Sequence, residues 1–504
     1  MRYFLFTAAI AALTCLNVVA YAQDDVVANI IELGKTNNTV MQLEDTLANR
    51  IGGRIVGSDA LLHAEKWVAK LLRSWGYEVM VQEVGQMKVG FERGPWFGRM
   101  LSEDGMILHF ATPSYTAGTK GPQMGRVVIE PETLAEFEKM KGQIKGAWVL
   151  IGGESDGSPI DWSSEADAKR AELIEEQAKA MEKSEKKPWK KPKSVPALLY
   201  RQMVEAGALG FIQKSDVPIK ALSDRKNKDN ITIHNLPNVC DIKLDSKQYD
   251  IIYEKARRRE EFFMEFDIRN HFFEGPVPYS NIIAIMRGSE YPNEYVITGG
   301  HLDAYDVASG AVDDAHGTCV NLETARLLAM AGAKPKRSII IAIWTAEEYG
   351  LLGSKYFVEN NTVPLNSISN YFNRDGGPLC PASVTVKPAM YNDWLEAAKG
   401  INEINPKFPF EVRKDESGPT KRPERAGGSD HAYFVKNGVP AVSITLGDPN
   451  GYNFSYGEIW HSERDNFNRI YQEYMEHSTI VNAVLVYRLA NLDHILSREG
   501  LYSK

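Results

Sequence analysis

Between Ser338 and Trp344 the chain reads Ser-Ile-Ile-Ile-Ala-Ile-Trp, with no charged residue, and this run limits the fold more than any other. A strand with one wet face alternates apolar and polar side chains, whereas an unbroken apolar strand must be covered on both faces. The neighbouring sequence agrees with a sheet between helices. Asn281 to Met286 and Tyr295 to Thr298 are apolar runs of strand length joined by a turn, and Thr318 to Met330 is an apolar-rich helix. Val439 to Thr445 reads as a further strand and Tyr471 to Leu496 as a long closing helix. The expected class is α/β, with a mixed, mainly parallel sheet flanked by helices and ligands beyond the carboxyl ends of its strands.

At 504 residues the chain exceeds what one hydrophobic core serves, so a second domain or a large insertion is expected. Leu61 to Trp75 carries apolar residues at helical spacing and stops at Gly76, and Tyr77 to Val81 follows as a strand. The Gly-, Pro- and Thr-rich stretch from Arg93 to Pro122 marks a boundary. Beyond it the texture changes. Ala147 to Ile151 is a short buried strand, and Glu205 to Ile212 is a helix end turning into a strand. The Lys/Glu-dense run between them, Asp161 to Lys193, reads as a solvated helix; a basic docking patch is the weaker alternative, because glutamates interleave the lysines.

The first residues have the parts of a secretory signal: Arg2, an apolar run from Tyr3 to Leu13, then Ala20-Tyr21-Ala22. Cleavage after Ala22 is expected, giving a secreted or periplasmic protein with no stable membrane span; a membrane anchor or lipidation at Cys15 is the alternative. Cys240, Cys319 and Cys380 are then left, scattered and odd in number, so neither a disulfide framework nor a thiolate metal site is expected. Any metal must be held by His and carboxylates. The net charge of -8 argues against a nucleic-acid partner.

Residues able to do chemistry cluster at the predicted strand ends. Strand Tyr295 to Thr298 runs through two glycines into His301-Leu302-Asp303, where Asp303 could fix the tautomer of a metal-binding His301. Asp313-Asp314 precedes a helix, and one of the pair is expected to cap it. The buried strand ends in Glu347-Glu348, a pair that suits one ligand and one proton acceptor beside a metal. Asp375 lies in a glycine-flanked loop, and His461 precedes the closing helix. Two histidines and three carboxylates are what two zinc ions need when one carboxylate bridges.

Taken in order, His301-x-Asp303, Gly-Ala-x-Asp313-Asp314-Ala, Thr-Ala-Glu347-Glu348, Asp375 and His461-Ser resemble metallopeptidase family 28, the zinc aminopeptidases and glutamate carboxypeptidases. His301-Leu-Asp-Ala-Tyr-Asp-Val, Lys334-Pro-Lys-Arg and Trp344-Thr-Ala-Glu-Glu-Tyr-Gly are similar to its plasma glutamate carboxypeptidase branch, and Gly52-Gly-Arg-Ile-Val-Gly-Ser58 resembles the family's opening segment. The resemblance implies two zinc ions, one held by His301, Asp313 and Asp375 and the other by Asp313, Glu348 and His461. It makes Glu347 the general base and places Asp303 and Asp465 behind the ligands. It also implies a cis peptide at Asp313–Asp314. For the chain as a whole it implies a signal peptide over 1–22, a catalytic domain split into 23–112 and 275–504, and a protease-associated-like domain inserted over 113–274.

The implied activity is hydrolysis of a peptide substrate at a chain terminus. An aminopeptidase is favoured, with a carboxypeptidase or dipeptidase as the alternative; a glutaminyl cyclase-like enzyme and a metal-free binding protein stand further off. A homodimer is left open. Two positions depart from the family pattern. His316 stands where small residues are usual, and either touches substrate or metal or faces solvent at the helix start. Trp460 stands where some members carry an oxyanion-stabilising tyrosine, a role for which Tyr452 and Tyr456 are the nearby candidates.

Overall fold

The structure, a computed structural model, describes residues 25–102, 105–182 and 195–503. The signal segment, Cys15 and residues 183–193 of the charged run lie outside the described residues. Among the described residues no helix is long and apolar enough to cross a membrane.

Helix Asp59–Ser74 is capped by the Ser58 hydroxyl, which accepts from the Leu61 N–H at 3.1 Å, and it buries Leu61, Ala64, Val68 and Leu72. The chain then enters β1 (Glu78–Glu92), far longer than the expected five residues. The excess was hidden because β1 pairs antiparallel with β9 as a ribbon broken by irregularities near Gly85 and Lys88, so no clean alternation survives. From the end of β1 the chain leaves for a second sheet. Its strands are β2 (Trp96–Met100), β3 (Phe110–Ala111), β4 (Gln123–Ile129), β5 (Ala147–Ser155), β6 (Gly210–Ser215), β7 (Cys240–Asp245) and β8 (Phe263–Ile268), in the order β2-β8-β4-β5-β6-β7-β3. It has a core on each face: Trp148, Leu150, Ile212 and Phe266 on one, Val149, Ile151, Phe211 and Met203 on the other. Within the described part of the charged run, Ser164–Glu182 is a helix. β9 (His271–Met286) brings the chain back beside β1, with His271 opposite Glu92.

The sheet that matters for function then completes itself with β10 (Tyr291–His301), β11 (Arg337–Trp344) and β12 (Ile368–Asn373), in the order β1-β9-β11-β10-β12. It is mixed: β10, β11 and β12 are parallel, while β9 runs against both β1 and β11. As the apolar run requires, β11 is buried throughout. Ile339, Ile341 and Ile343 pack with helix His316–Met330, and Ile340, Ala342 and Trp344 with helix Leu352–Glu359. The chain leaves β10 to one neighbour and later returns to the other, so the crevice at the carboxyl end of β10 is a topological switch point.

A three-stranded sheet of β13 (Cys380–Val386), β14 (Glu411–Lys414) and β15 (Thr445–Gly447) follows, in the order β14-β13-β15. The expected strand Val439 to Thr445 is not one. Pro440 has no N–H to give to a ladder. The segment instead lies along β12 through the Tyr371 N–H to Pro440 carbonyl bond (2.9 Å) and the Asn370 side chain, which accepts from Val442 N–H at 3.0 Å. Helix Gln472–Ala490 closes the chain, ending short of Leu496 at Asn491.

Candidate metal centre

Three parallel strands converge on one site because they end level. Register places His301, the last residue of β10, opposite Trp344, the last of β11, and Gly299 opposite Asn373, the last of β12. The residues just beyond each end, Asp303, Glu347-Glu348 and Asp375, are therefore delivered to one crevice. Asp313 enters from the loop before helix His316–Met330, and His461 from the turn before the closing helix.

The side chains fall into two groups. Ligand atoms of His301, Glu347 and Asp375 lie within 4.8 Å of one another, and so do those of Asp313, Glu348 and His461. Asp313 joins the groups: its Oδ1 is 3.2 Å from His301 Nε2 and its Oδ2 is 3.6 Å from His461 Nε2. Glu348 Oε2 is 3.1 Å from the same His461 nitrogen. All five sequence-predicted metal residues are thus together. Glu347, expected to handle a proton, also sits within ligand reach.

Local hydrogen bonds set these orientations. His301 Nδ1 donates to the Asp303 backbone carbonyl at 2.8 Å, which leaves Nε2 facing the centre. The expectation that the Asp303 carboxylate would do this is corrected. That carboxylate is 3.8 Å from the ring and accepts instead from the Glu347 and Glu348 N–H groups, at 3.0 and 3.2 Å. It fixes the glutamate turn. Of the two adjacent aspartates, Asp314 is the cap, accepting from His301 N–H (3.1 Å) and Gly317 N–H (2.9 Å), and the peptide between Asp313 and Asp314 is cis. Asp465 accepts from the Val312 and Asp313 N–H groups at 2.6 and 3.2 Å, placing Asp313. Buried Arg54, in the Gly-rich opening segment, donates to the carbonyls of Leu302, Ser309 and Gly310, and so pins the loop between His301 and Asp313.

The electrostatics are those of carboxylates crowded out of water. Burial, with repulsion from Glu348, Asp430 and Asp375, pushes Glu347 up to about 10. Burial and Asp313 push Glu348 up as well, and its Oε1 is buried without a hydrogen-bond partner. Asp313, by contrast, is held below the usual carboxylate range: burial raises it, but the contact with His301 outweighs that. Burial drives His461 down to about 4, leaving a neutral imidazole. Burial opposes charge on His301, but Glu347, Asp313, Asp314 and Asp375 around it push it well up. Two imidazoles among surplus buried carboxylates, with one orphaned oxygen, form a donor set that fits divalent cations taking nitrogen and oxygen ligands, zinc among them.

Several residues at the site had not stood out in the sequence. The Ser429 hydroxyl donates to Asp375 Oδ2 and accepts from Asn373 Nδ2 at 2.9 Å. Arg225 of the second sheet's unit donates to the Glu348 carbonyl at 2.7 Å. Nothing in a lone serine or arginine signals such contacts. Of the two tyrosine candidates, Tyr456 interacts with Asp313, while Tyr452 stacks on Tyr471 and bonds Glu473. Trp460 lies against the His461 ring. His316 neither faces solvent nor joins a ligand group. It is 1% exposed, and burial with nearby Arg374 lowers it to about 3.

Comparison with known proteins agrees with this geometry. Residues 281–486 match peptidase family M28. The chain is 30% identical over 219 residues to carboxypeptidase Q of Mus musculus, covering 43% of each protein. It is 37% identical over 199 residues to a probable glutamate carboxypeptidase of Arabidopsis thaliana, covering 37% of this chain and 28% of that one. The matches thus span less than half the length of these relatives. Among solved structures, a peptidase M28 precursor from Shewanella amazonensis superposes with a TM-score of 0.59 at 18% identity, covering 95% of this chain and 98% of the other. A zinc aminopeptidase from Bacillus subtilis gives 0.51 at 17%, covering 92% and 97%. The fold is shared with both.

Proposed function

We propose that this chain, which belongs to peptidase family M28 through residues 281–486, is a two-zinc exopeptidase acting at a free substrate amino terminus. One observation carries the reading: the two oxygens of Asp313 face different histidines, each with further carboxylates beside it. A carboxylate so placed would be shared between two cations. His301 and Asp375 would complete one site, and Glu348 and His461 the other. With Asp313 shared, Glu347 is free for protons. The N-terminal signal reading places the protein outside the cytoplasm, and the unit between β1 and β9 is read as a protease-associated-like insertion.

Two zinc ions held there would supply the Lewis acidity that polarises a scissile carbonyl and brings water toward its neutral-pH ionisation. The protein's residues do the rest. Glu347 accepts the water proton and returns it to the leaving amine. Asp303, through the two backbone N–H groups it holds, keeps Glu347 and Glu348 apart in their separate tasks. Tyr456 offers a hydroxyl to the carbonyl oxygen as charge develops on it. Removing that donor, Tyr456→Phe, is expected to lower kcat about 100- to 1,000-fold with zinc content unchanged; unchanged kcat would remove Tyr456 from the mechanism.

The surplus of carboxylates around the centre favours a substrate ammonium beside it, hence the amino-terminal preference. Similarity to proteins named carboxypeptidases favours the second reading, cleavage next to a free carboxylate. Dipeptides blocked at one end separate them. Zinc-loaded protein should cleave C-amidated and not N-acetylated dipeptides; the reverse preference selects the carboxypeptidase reading, and cleavage of neither ends both.

A further inference from the structure

A histidine that binds metal through one ring nitrogen is ordinarily fixed by a hydrogen bond from the other. His301 is held in this way by the Asp303 carbonyl. His461 is not: among the described residues no hydrogen bond is made by its second ring nitrogen. Its backbone also sits at φ 58°, a left-handed conformation that residues with a Cβ take only when their surroundings impose it.

The surroundings of His461 are rings and a cation. Tyr305 meets the imidazole edge-on with centroids 4.5 Å apart, and Trp460 lies against it at 4.1 Å with a 32° tilt. Over the Trp460 ring, 4.5 Å from its centroid, sits the ammonium of Lys220. Lys220 belongs to the unit of the second sheet. Its neighbours tie the same turn: Lys220 bridges to Ser462, Ile219 N–H donates to Glu463 Oε1 at 3.0 Å, and Glu463 N–H donates to the Ile219 carbonyl at 3.0 Å. A few residues on, Arg225 holds the Glu348 carbonyl at 2.7 Å and Ser223 bonds the phenol of Tyr349. One short stretch, 219–225, therefore grips both turns that carry His461 and Glu348.

The other group is supported differently. His301, Glu347 and Asp375 are held by Asp314, Asp303 and Ser429, all outside that unit. We infer that residues 219–225 are a positioning element for one of the two cation sites: Lys220 and Arg225, without touching the ion, set the affinity of the Asp313–Glu348–His461 site and leave the other alone. The unit of the second sheet thereby controls whether the centre holds one ion or two.

The inference rests on the two-zinc reading, and the test separates the two. Zinc bound per chain is measured against free zinc for the full chain and for Lys220→Met/Arg225→Met, with melting of the metal-free proteins alongside. The double variant should keep the first ion at wild-type affinity and bind the second about 10- to 100-fold more weakly, the range for losing groups that orient a ligand. Its metal-free melting should match wild type, and Arg225→Lys should recover part of the loss. Wild-type affinity for both ions overturns the inference, as does equal weakening of both, which marks a general structural role. If the double variant does not fold, the single variants are held to the same criterion. A wild-type protein that binds fewer than two ions instead overturns the two-zinc reading, and the inference with it.

Discussion

Glu347→Gln should retain two zinc ions and lose turnover by about 100- to 10,000-fold, the effect of removing a general base. Glu348→Gln should lose metal as well as activity. The two residues are chemically identical neighbours, so nothing in their composition separates them; their surroundings do. Glu348 Oε2 is 3.1 Å from His461 and its other oxygen is buried without a partner, so it already stands in a ligand's place. Glu347 lies within reach of His301 and Asp375 and competes with Asp313 for the same site. The zinc content of the Glu347 variant decides between them. If it falls to one ion per chain, Glu347 is a ligand and proton transfer must be assigned elsewhere. Full activity in that variant would refute the proposed water activation outright.

Asp313→Asn is expected to be the most damaging single change at the centre. An amide is neutral and cannot bridge two cations with an oxygen to each, so both sites weaken together and activity falls to background. Stability provides a readout independent of turnover. A ligand at 1,000 times its dissociation constant stabilises the folded protein by about 4 kcal/mol. Zinc should therefore raise the melting temperature of the wild type and of Glu347→Gln, and have almost no effect on Asp313→Asn. An undiminished zinc-dependent rise in Asp313→Asn would show that Asp313 does not bridge, and the two-site arrangement would have to be redrawn around Glu347.

The parts of the site legible in the sequence were those whose chemistry is declared by residue type at a strand end. His301, Asp313, Glu348, Asp375 and His461 stand beside unmistakably buried strands or helix starts, where a charged side chain has few uses other than capping or binding. The apolar run 338–344 likewise fixed a covered sheet, because only burial on both faces tolerates it. The long ribbon of β1 and β9 could not be read, since its irregularities break the alternation that announces a strand. The segment 439–445 was misread for the opposite reason: an apolar run looked like a strand, but Pro440 lacks the donor a ladder needs.

What only the tertiary structure decided is how each side chain is held and by which distant partner. Ser429 meets Asp375 across 54 positions, and Arg225 meets Glu348 across 123. The Asp303 carboxylate turned out to hold the glutamate turn while its carbonyl orients His301. Tyr456 interacts with Asp313 while Tyr452 stacks on Tyr471, a difference in placement on which the proposed role of Tyr456 rests. The physical reason is common to all of them. A hydrogen bond or a ring contact depends on a few tenths of an ångström between groups brought together by the whole fold, and such contacts leave no periodicity or composition behind. The sequence alone carried the residue types on which the proposed chemistry rests and announced the sheet that bears them; how residues of the same type are held apart belongs to the folded chain.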